Sequence, residues 1–330
     1  MTATETQQLE ALKGRRRGPY LSFNPVSNTQ IWQWCSAMGD ENPCYRPGES
    51  QIAPPAMMQM WTMRDINDNY APGSTDEPPY QVFDDMTAMG YDCNVAVSYD
   101  IRFLRYLQVG ECPQHFTAVV KISDKKTTAL GIGFFVTERV EYLTHDEVPF
   151  AEAFITYFQY QAAEVTDTSA DGASGERNDS KPAIANQWRS DFADLDASKL
   201  SVGDSLPELV LPITHKLIVG GAIATQDFIP VHHNVPAARE AGMPDIFMNI
   251  LTTSGLSARY LSDYAGSGSR LKQLQFNLMA PNLPGDTMVM EGTLTEINSS
   301  AAGTQIHIAF GGRNGMGYHT KGSAVLALAE

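Results

Sequence analysis

Apolar and polar residues alternate along four stretches of the first half of the chain: 95–107, 116–123, 131–142 and 150–160. In VSYDIRFLRYL and FFVTERVEYL the period is two, which predicts strands with one buried face. A second set of strand-like runs covers 204–211, 215–222, 271–279, 287–297, 304–311 and 318–328, with Asn314-Gly315 as a hairpin turn. Helical spacing shows in three places. Ser27 or Asn28 caps a helix carrying Ile31, Trp32, Cys35 and Met38 on one side, and Gly39 ends it. The run QIAPPAMMQMWTMRD, 51–65, reads as a turn into a second apolar helix. A third and longer helix is predicted over 246–264, after a restart at Pro244 and Asp245. Each half therefore reads as a helix followed by an antiparallel meander, an α+β arrangement.

Two stretches fall outside this pattern. Residues 67–92 are rich in Pro, Gly and acids and predict a loop insertion near a pocket mouth. Residues 161–185 are rich in Ala, Ser, Thr, Gly and acids, cannot bury a core, and predict a mobile linker. Two domains follow, 1–160 and 186–330. The chain has 330 residues, enough for two cores. Its net charge of −15 argues against a nucleic-acid partner, because phosphate binding needs a basic footprint. A local basic patch would still suffice for a polyanionic ligand such as coenzyme A. The basic cluster Lys13–Arg17 reads as a solvated edge. No apolar run approaches a membrane span, no signal core is visible, and Cys35, Cys44, Cys93 and Cys112 form no C-x-x-C pair. A cytoplasmic protein with free thiols, no metal and no membrane partner is expected.

The chemistry concentrates in 224–259, ATQDFIPVHHNVPAAREAGMPDIFMNILTTSGLSAR. Asp227 and His232 converge only if the chain bends between them, and Pro230 supplies the bend. Asn234 reads as a helix cap before a short turn ending at Gly242. A carboxylate and an imidazole beside a helix start make a candidate acid/base site, although an Asp–His hydrogen bond can also be merely structural.

This stretch resembles the signature of the MaoC-like, (R)-specific enoyl-CoA hydratase family, D-x-N-P-hydrophobic-H followed by a short helix and the central helix of a hotdog fold. Here it stands as D-F-I-P-V-H, with Ile229 at the Asn position. Asn249 and Ile250 replace the family's His-Gly at the helix start. The DF-x-x-VHH run and the NILT helix start are closer to the hydratases of bacterial steroid side-chain degradation. The resemblance covers most of 200–330. The run DENPCY, Asp40 to Tyr45, repeats the signature with Asn42 intact and Tyr45 where the His would stand. The motif thus occurs twice, which implies a duplicated domain. The expected fold is a tandem of two hotdog domains, each an antiparallel sheet wrapped on a central helix.

The resemblance implies addition of water to the α,β double bond of a bulky acyl-CoA, with a steroid or bile-acid side-chain ester as substrate. Coenzyme A is part of that substrate, and no separate cofactor is expected. Asp227 and His232 would share the water, with the acid and base roles left open. The backbone N–H of Ile250 would stabilise the thioester oxyanion; Ile250 is otherwise a core residue. Asn249 would position the dyad or the ligand, or simply satisfy the helix start. Asp40, Asn42 and Tyr45 form a degenerate site, since a phenol with a pKa near 10 is no base at neutral pH. Trp32, Met57, Met58 and Trp61, with Trp34 and Met60, would line an acyl-tail pocket, or be core alone. His233 reads as structural; His215, His307 and His319 have no motif support. Arg313 and Lys321 are candidates for CoA phosphates or plain surface charges. Two alternatives stand beside the hydratase: a non-catalytic acyl-CoA-binding subunit and a hotdog thioesterase. The resemblance also implies a homodimer and leaves a steroid aldolase open as a partner, although nothing here resembles the zinc-ribbon and OB-type appendage that docks it in relatives.

Overall fold

The computed structural model describes residues 3–128, 130–162, 191–301 and 303–329. The alternating stretches of the first half become β1 (Arg17–Leu21), β2 (Cys93–Phe103), β3 (Pro113–Ile122), β4 (Lys126–Thr128), β5 (Gly131–Thr144) and β6 (Pro149–Ala162). Those of the second half become β7 (Ser205–Pro212), β8 (Arg270–Leu278), β9 (Thr287–Ser300), β10 (Gly303–Asn314) and β11 (Gly317–Ala327). Neighbouring strands are antiparallel, in the order β1-β3-β5-β6-β2-β8-β11-β10-β9-β7, with β4 beside β5. The two halves meet at β2 and β8, in register from Ser98 opposite Asn277 to Arg102 opposite Gln273. Gln273 Nε2 donates to Asp100 Oδ1 at 2.9 Å across this seam.

Six helices lie among the described residues: α1 (Ala3–Leu12), α2 (Asn28–Met38), α3 (Gln81–Ala88), α4 (His215–Ala224), α5 (Val235–Glu240) and α6 (Ile250–Ala265). Helix α6 is the centre of the molecule, with 13 of its 16 residues buried. Two close approaches lock it. A Cβ on Gly255 would lie 2.8 Å from the Trp34 ring of α2, and one on Gly221 of α4 would collide with the Thr252 side chain. Both glycines therefore serve helix-on-helix contact, and substitution at either forces the helices apart. Among the described residues, no helix is long and apolar enough to cross a membrane.

Five expectations need correction. Residues 215–222 are helical, not a strand. The Thr214 hydroxyl accepts the N–H of Leu217 at 3.0 Å, and Ile218, Ala222 and Gly221 are buried at helical spacing. The 51–65 run forms only two single-turn 3-10 helices, Pro55–Met57 and Met60–Thr62, since Pro54 and Pro55 remove two donors at its start. The long helix begins at Ile250 rather than 246, because the N–H groups of Phe247 and Met248 bond the carbonyls of Val231 and Asn282. The 67–92 insertion contains α3. The hairpin predicted at Asn314-Gly315 turns one residue later, through Gly315-Met316. The predicted linker, 161–185, enters β6 at its first two residues and from 163 onward lies outside the described residues.

Candidate active site

The site is built where α4 ends. Thr225 closes that helix, its hydroxyl donating to the carbonyl of Gly221 at 2.8 Å. Gln226 then takes a left-handed conformation, φ 55°, which costs a non-glycine residue roughly 1 kcal/mol. The reversal aims Asp227 back under α4, with its N–H on the carbonyl of Ala222. Pro230 opens a single 3-10 turn that ends at His232. This is the bend that the five-residue spacing demands. The next turn, α5, is capped by Asn234, whose side chain accepts from the N–H of Ala237 at 3.4 Å.

Asp227 is 6% exposed, His232 7% and Asn249 3%. His232 Nδ1 stands 2.8 Å from the Phe247 carbonyl oxygen. A carbonyl only accepts, so Nδ1 carries the hydrogen, and in that tautomer of the uncharged ring Nε2 is left as an acceptor. That Nε2 lies 3.6 Å from Asp227 Oδ2. Asn249 donates from Nδ2 to Asp227 Oδ2 and to Thr225 Oγ1, both at 2.9 Å. Its Oδ1 accepts the N–H of Thr252 at 2.7 Å, which fixes the amide orientation and caps α6. Asp227 Oδ1 has no partner among the described residues. Two acceptors, an imidazole nitrogen and a carboxylate, thus face one buried point. A molecule with two hydrogens to donate, such as water, satisfies both. The N–H of Ile250, first residue of α6, has no intrahelical acceptor and sits at the positive end of the helix dipole.

The repeated motif is held differently. Asn42 is buried and accepts the N–H of Cys44 at 3.0 Å, and Tyr45 is buried with its phenol on Ser262 of α6. Burial, helped by the charge of Asp263, raises Asp40 to about 6 against the Asn42 N–H that it accepts and the weaker pull of Arg259. Arg259 donates to the carbonyl of Met38 at 2.8 Å and stands 3.4 Å from Asp263. The first turn of α6 thus serves the Asp227–His232 pair, while its last turns fill the surroundings of Asp40 and Tyr45.

Met57, Met58, Met60, Trp61 and Trp34 are buried. Trp32 is not: it is 68% exposed, because α2 buries the Ile31–Trp34–Met38 face and Trp32 falls outside it. The acyl-tail reading of Trp32 is therefore dropped. His233 bonds the Phe228 carbonyl at 3.0 Å, and His215 pairs with Asp245 at 3.2 Å on the surface. Arg313 pairs with Glu291 at 2.9 Å, and Lys321 lies 3.6 Å over the Tyr318 ring. Sequence reading missed Thr225 and the Phe247 carbonyl, and set aside His319. The last is buried on β11, with Nε2 2.8 Å from Thr253 Oγ1 of α6. Backbone groups leave no mark in a sequence. Thr225, two residues before the acid, carried no signal of its own.

One continuous antiparallel sheet running through both halves around a buried helix, with a carboxylate and an imidazole close together at the helix N-terminus, has the architecture of a double hotdog. No family model matches the chain. It is 37% identical over 129 residues to a protein of Mycobacterium tuberculosis named as the beta subunit of 3-oxo-4,17-pregnadiene-20-carboxyl-CoA hydratase, covering 39% of this chain and 97% of that one. It is 36% identical over 144 residues to a probable enoyl-CoA hydratase alpha subunit of Thermomonospora curvata, 40% of this chain and 44% of the relative. The chain thus spans less than half of that alpha subunit. A solved MaoC-like dehydratase superimposes with a TM-score of 0.71 at 17% identity, over 98% of this chain and 100% of the other. The chain belongs to the MaoC-like enoyl-CoA hydratase family and is an enzyme of the hydratase type.

Proposed function

We propose that the chain hydrates the α,β double bond of a bulky enoyl-CoA, a steroid or bile-acid side-chain ester. The observation that carries the reading is the closeness of His232 Nε2 and the Asp227 carboxylate, 3.6 Å apart and buried beside a helix start. A water held between them loses a proton to Nε2 as its oxygen bonds the β-carbon. The electron pair of the double bond moves through the α-carbon onto the thioester oxygen, where the Ile250 N–H is placed to receive the charge. The imidazolium then returns a proton to the α-carbon, and the ring regains its starting tautomer. Asp227 holds the water and the transient imidazolium, and Asn249 holds Asp227. Asp40, Asn42 and Tyr45 take no part. No cofactor enters beyond the coenzyme A of the substrate. Two relatives named for a steroid side-chain CoA substrate are named as alpha and beta subunits, which supports an assembly of chains, and we infer a homodimer.

The thioesterase reading is weaker. The α6 carboxylate, Asp263, stands beside Arg259 in the last turns, away from the helix start. Following loss of enoyl thioester absorbance and release of free thiol side by side tests the reading. Hydration without thiol release is expected, with a higher kcat/KM on steroid enoyl-CoA esters than on crotonyl-CoA. Preference for crotonyl-CoA would sink the steroid assignment and keep the hydratase. Thiol release alone would overturn both.

A further inference from the structure

The hydration steps leave His319 unused, although it is only 2% exposed on β11. Both of its ring nitrogens are engaged. Nδ1 lies 2.7 Å from the Ala280 carbonyl oxygen, and Nε2 lies 2.8 Å from Thr253 Oγ1. The carbonyl requires a donor, so the hydrogen sits on Nδ1, and burial keeps the ring uncharged at neutral pH. Nε2 is then the acceptor for the Thr253 hydroxyl. That hydroxyl has one proton and a second acceptor within reach, the Asn249 carbonyl at 3.2 Å. The imidazole takes the proton at the shorter distance.

The two groups that His319 holds belong to the two supports of the dyad. Thr253 lies in the first turn of α6, and its N–H bonds the carbonyl of Asn249, whose amide holds Asp227. Ala280 begins the short segment 280–282 after β8. The Asn282 carbonyl accepts the N–H of Met248 at 3.1 Å, and the carbonyl of the adjoining Phe247 sets the tautomer of His232. Asn314 ties down the same segment, donating to the Pro281 carbonyl and to Asn282 Oδ1, both at 2.9 Å. One side of the ring thus leads to the carboxylate of the site and the other to its imidazole. An apolar side chain would fill the space at a lower desolvation cost. What the imidazole adds is direction, since two bonds fix the first turn of α6 against the 280–282 segment.

We propose that His319 is a positioning residue for the reaction, acting through Thr253 and Ala280 to hold Asp227 and His232 at their working separation. The inference rests on the hydratase reading and adds to it a residue outside the reacting groups. A displacement of about 1 Å in either support can cost about 100-fold in rate.

Steady-state hydration of crotonyl-CoA and of a steroid enoyl-CoA ester by the full chain tests this. Thr253→Val is isosteric and removes the hydroxyl. It should lower kcat by about 10- to 100-fold and leave KM within about two-fold. Thr253→Ser keeps the hydroxyl and should retain most of the rate. His319→Asn keeps a donor for Ala280 but removes the acceptor for Thr253, so it should match Thr253→Val, and the double variant should be no slower than either. Rates are taken well below each variant's unfolding midpoint, where a purely structural role lowers the midpoint and leaves kcat alone. If Thr253→Val does not fold, His319→Asn carries the test. Wild-type kcat in either folded variant, or equal losses in Thr253→Val and Thr253→Ser, would overturn the inference and leave the hydratase intact. No hydration of either ester by the wild-type chain would overturn the hydratase reading and this inference with it.

Discussion

Asn249 joins fold and site in one side chain, so its removal should be felt in both. In Asn249→Ala the cap on Thr252 is lost, about 1 kcal/mol. The buried Asp227 carboxylate also loses its amide donor, about 1.5–3 kcal/mol for a hydrogen bond to a charged group. Together the structure predicts a loss of roughly 2–4 kcal/mol in denaturant unfolding at neutral pH. Asn249→Asp separates the two roles. An aspartate caps as well as an asparagine, but it sets a second carboxylate against Asp227 and shares one proton with it. That variant should fold, should recover stability as the pH falls, and should lose hydration by about 10²-fold or more. Unfolding curves for both variants, with initial hydration rates at matched pH, decide the matter. A loss below about 0.5 kcal/mol in Asn249→Ala, or wild-type turnover in Asn249→Asp, would refute the reasoning.

Other expectations are briefer. Asp227→Asn and His232→Ala should each keep the fold and lose about 10²–10⁴-fold in hydration rate, and near-normal turnover in a folded variant would remove the dyad from the mechanism. Tyr45→Phe should cost about 1 kcal/mol through its contact with Ser262, with far less loss of rate than either dyad change; a deep kinetic defect would place chemistry in the first motif. His319 stays neutral in the fold, lowered by burial to about 4, whereas the unfolded chain protonates near 6.5. Its contribution to stability is whole above pH 6.5 and is lost as the pH falls toward 4. His319→Gln should therefore flatten the acid limb of a stability–pH profile, and parallel limbs would contradict the assignment.

How much was legible in the sequence differs by residue type. Strand β5 followed from period-two alternation, since every second residue from Phe134 to Thr144 is buried, and β6 followed from its shorter alternation over Ala151–Ile155. The run 215–222 was misread as a strand because HKLIVGGA is apolar from its third position on, and such a run does not distinguish a strand from a buried helix. Asp227 and His232 were found through the motif, and Pro230 accounts for the bend that brings them together. Asn249 was placed at the helix start, but its bond to Asp227 depends on how α4 ends, through the left-handed Gln226, which no spacing rule foretells. A buried acid inside the first sheet could have been read from FFVTERVEYL. The alternation that buries Phe134, Val136, Val140 and Tyr142 necessarily buries Glu138 with them.

The sheet described above has ten strands on its main path, and its outermost members are β1 and β7. Both are interrupted by imino acids: Pro19 in RGPYL, and Pro207 and Pro212 in SLPELVLP. A strand that lacks N–H groups along its rim offers an incomplete template for a further strand, from the same chain or another. The ribbon therefore ends where it ends, and lateral growth into fibres is discouraged at both borders. Two copies that associate find fuller contact surfaces in helices, loops or sheet faces. Such a contact can be weakened by surface substitution without disturbing the ladder that holds the two halves of each chain in line.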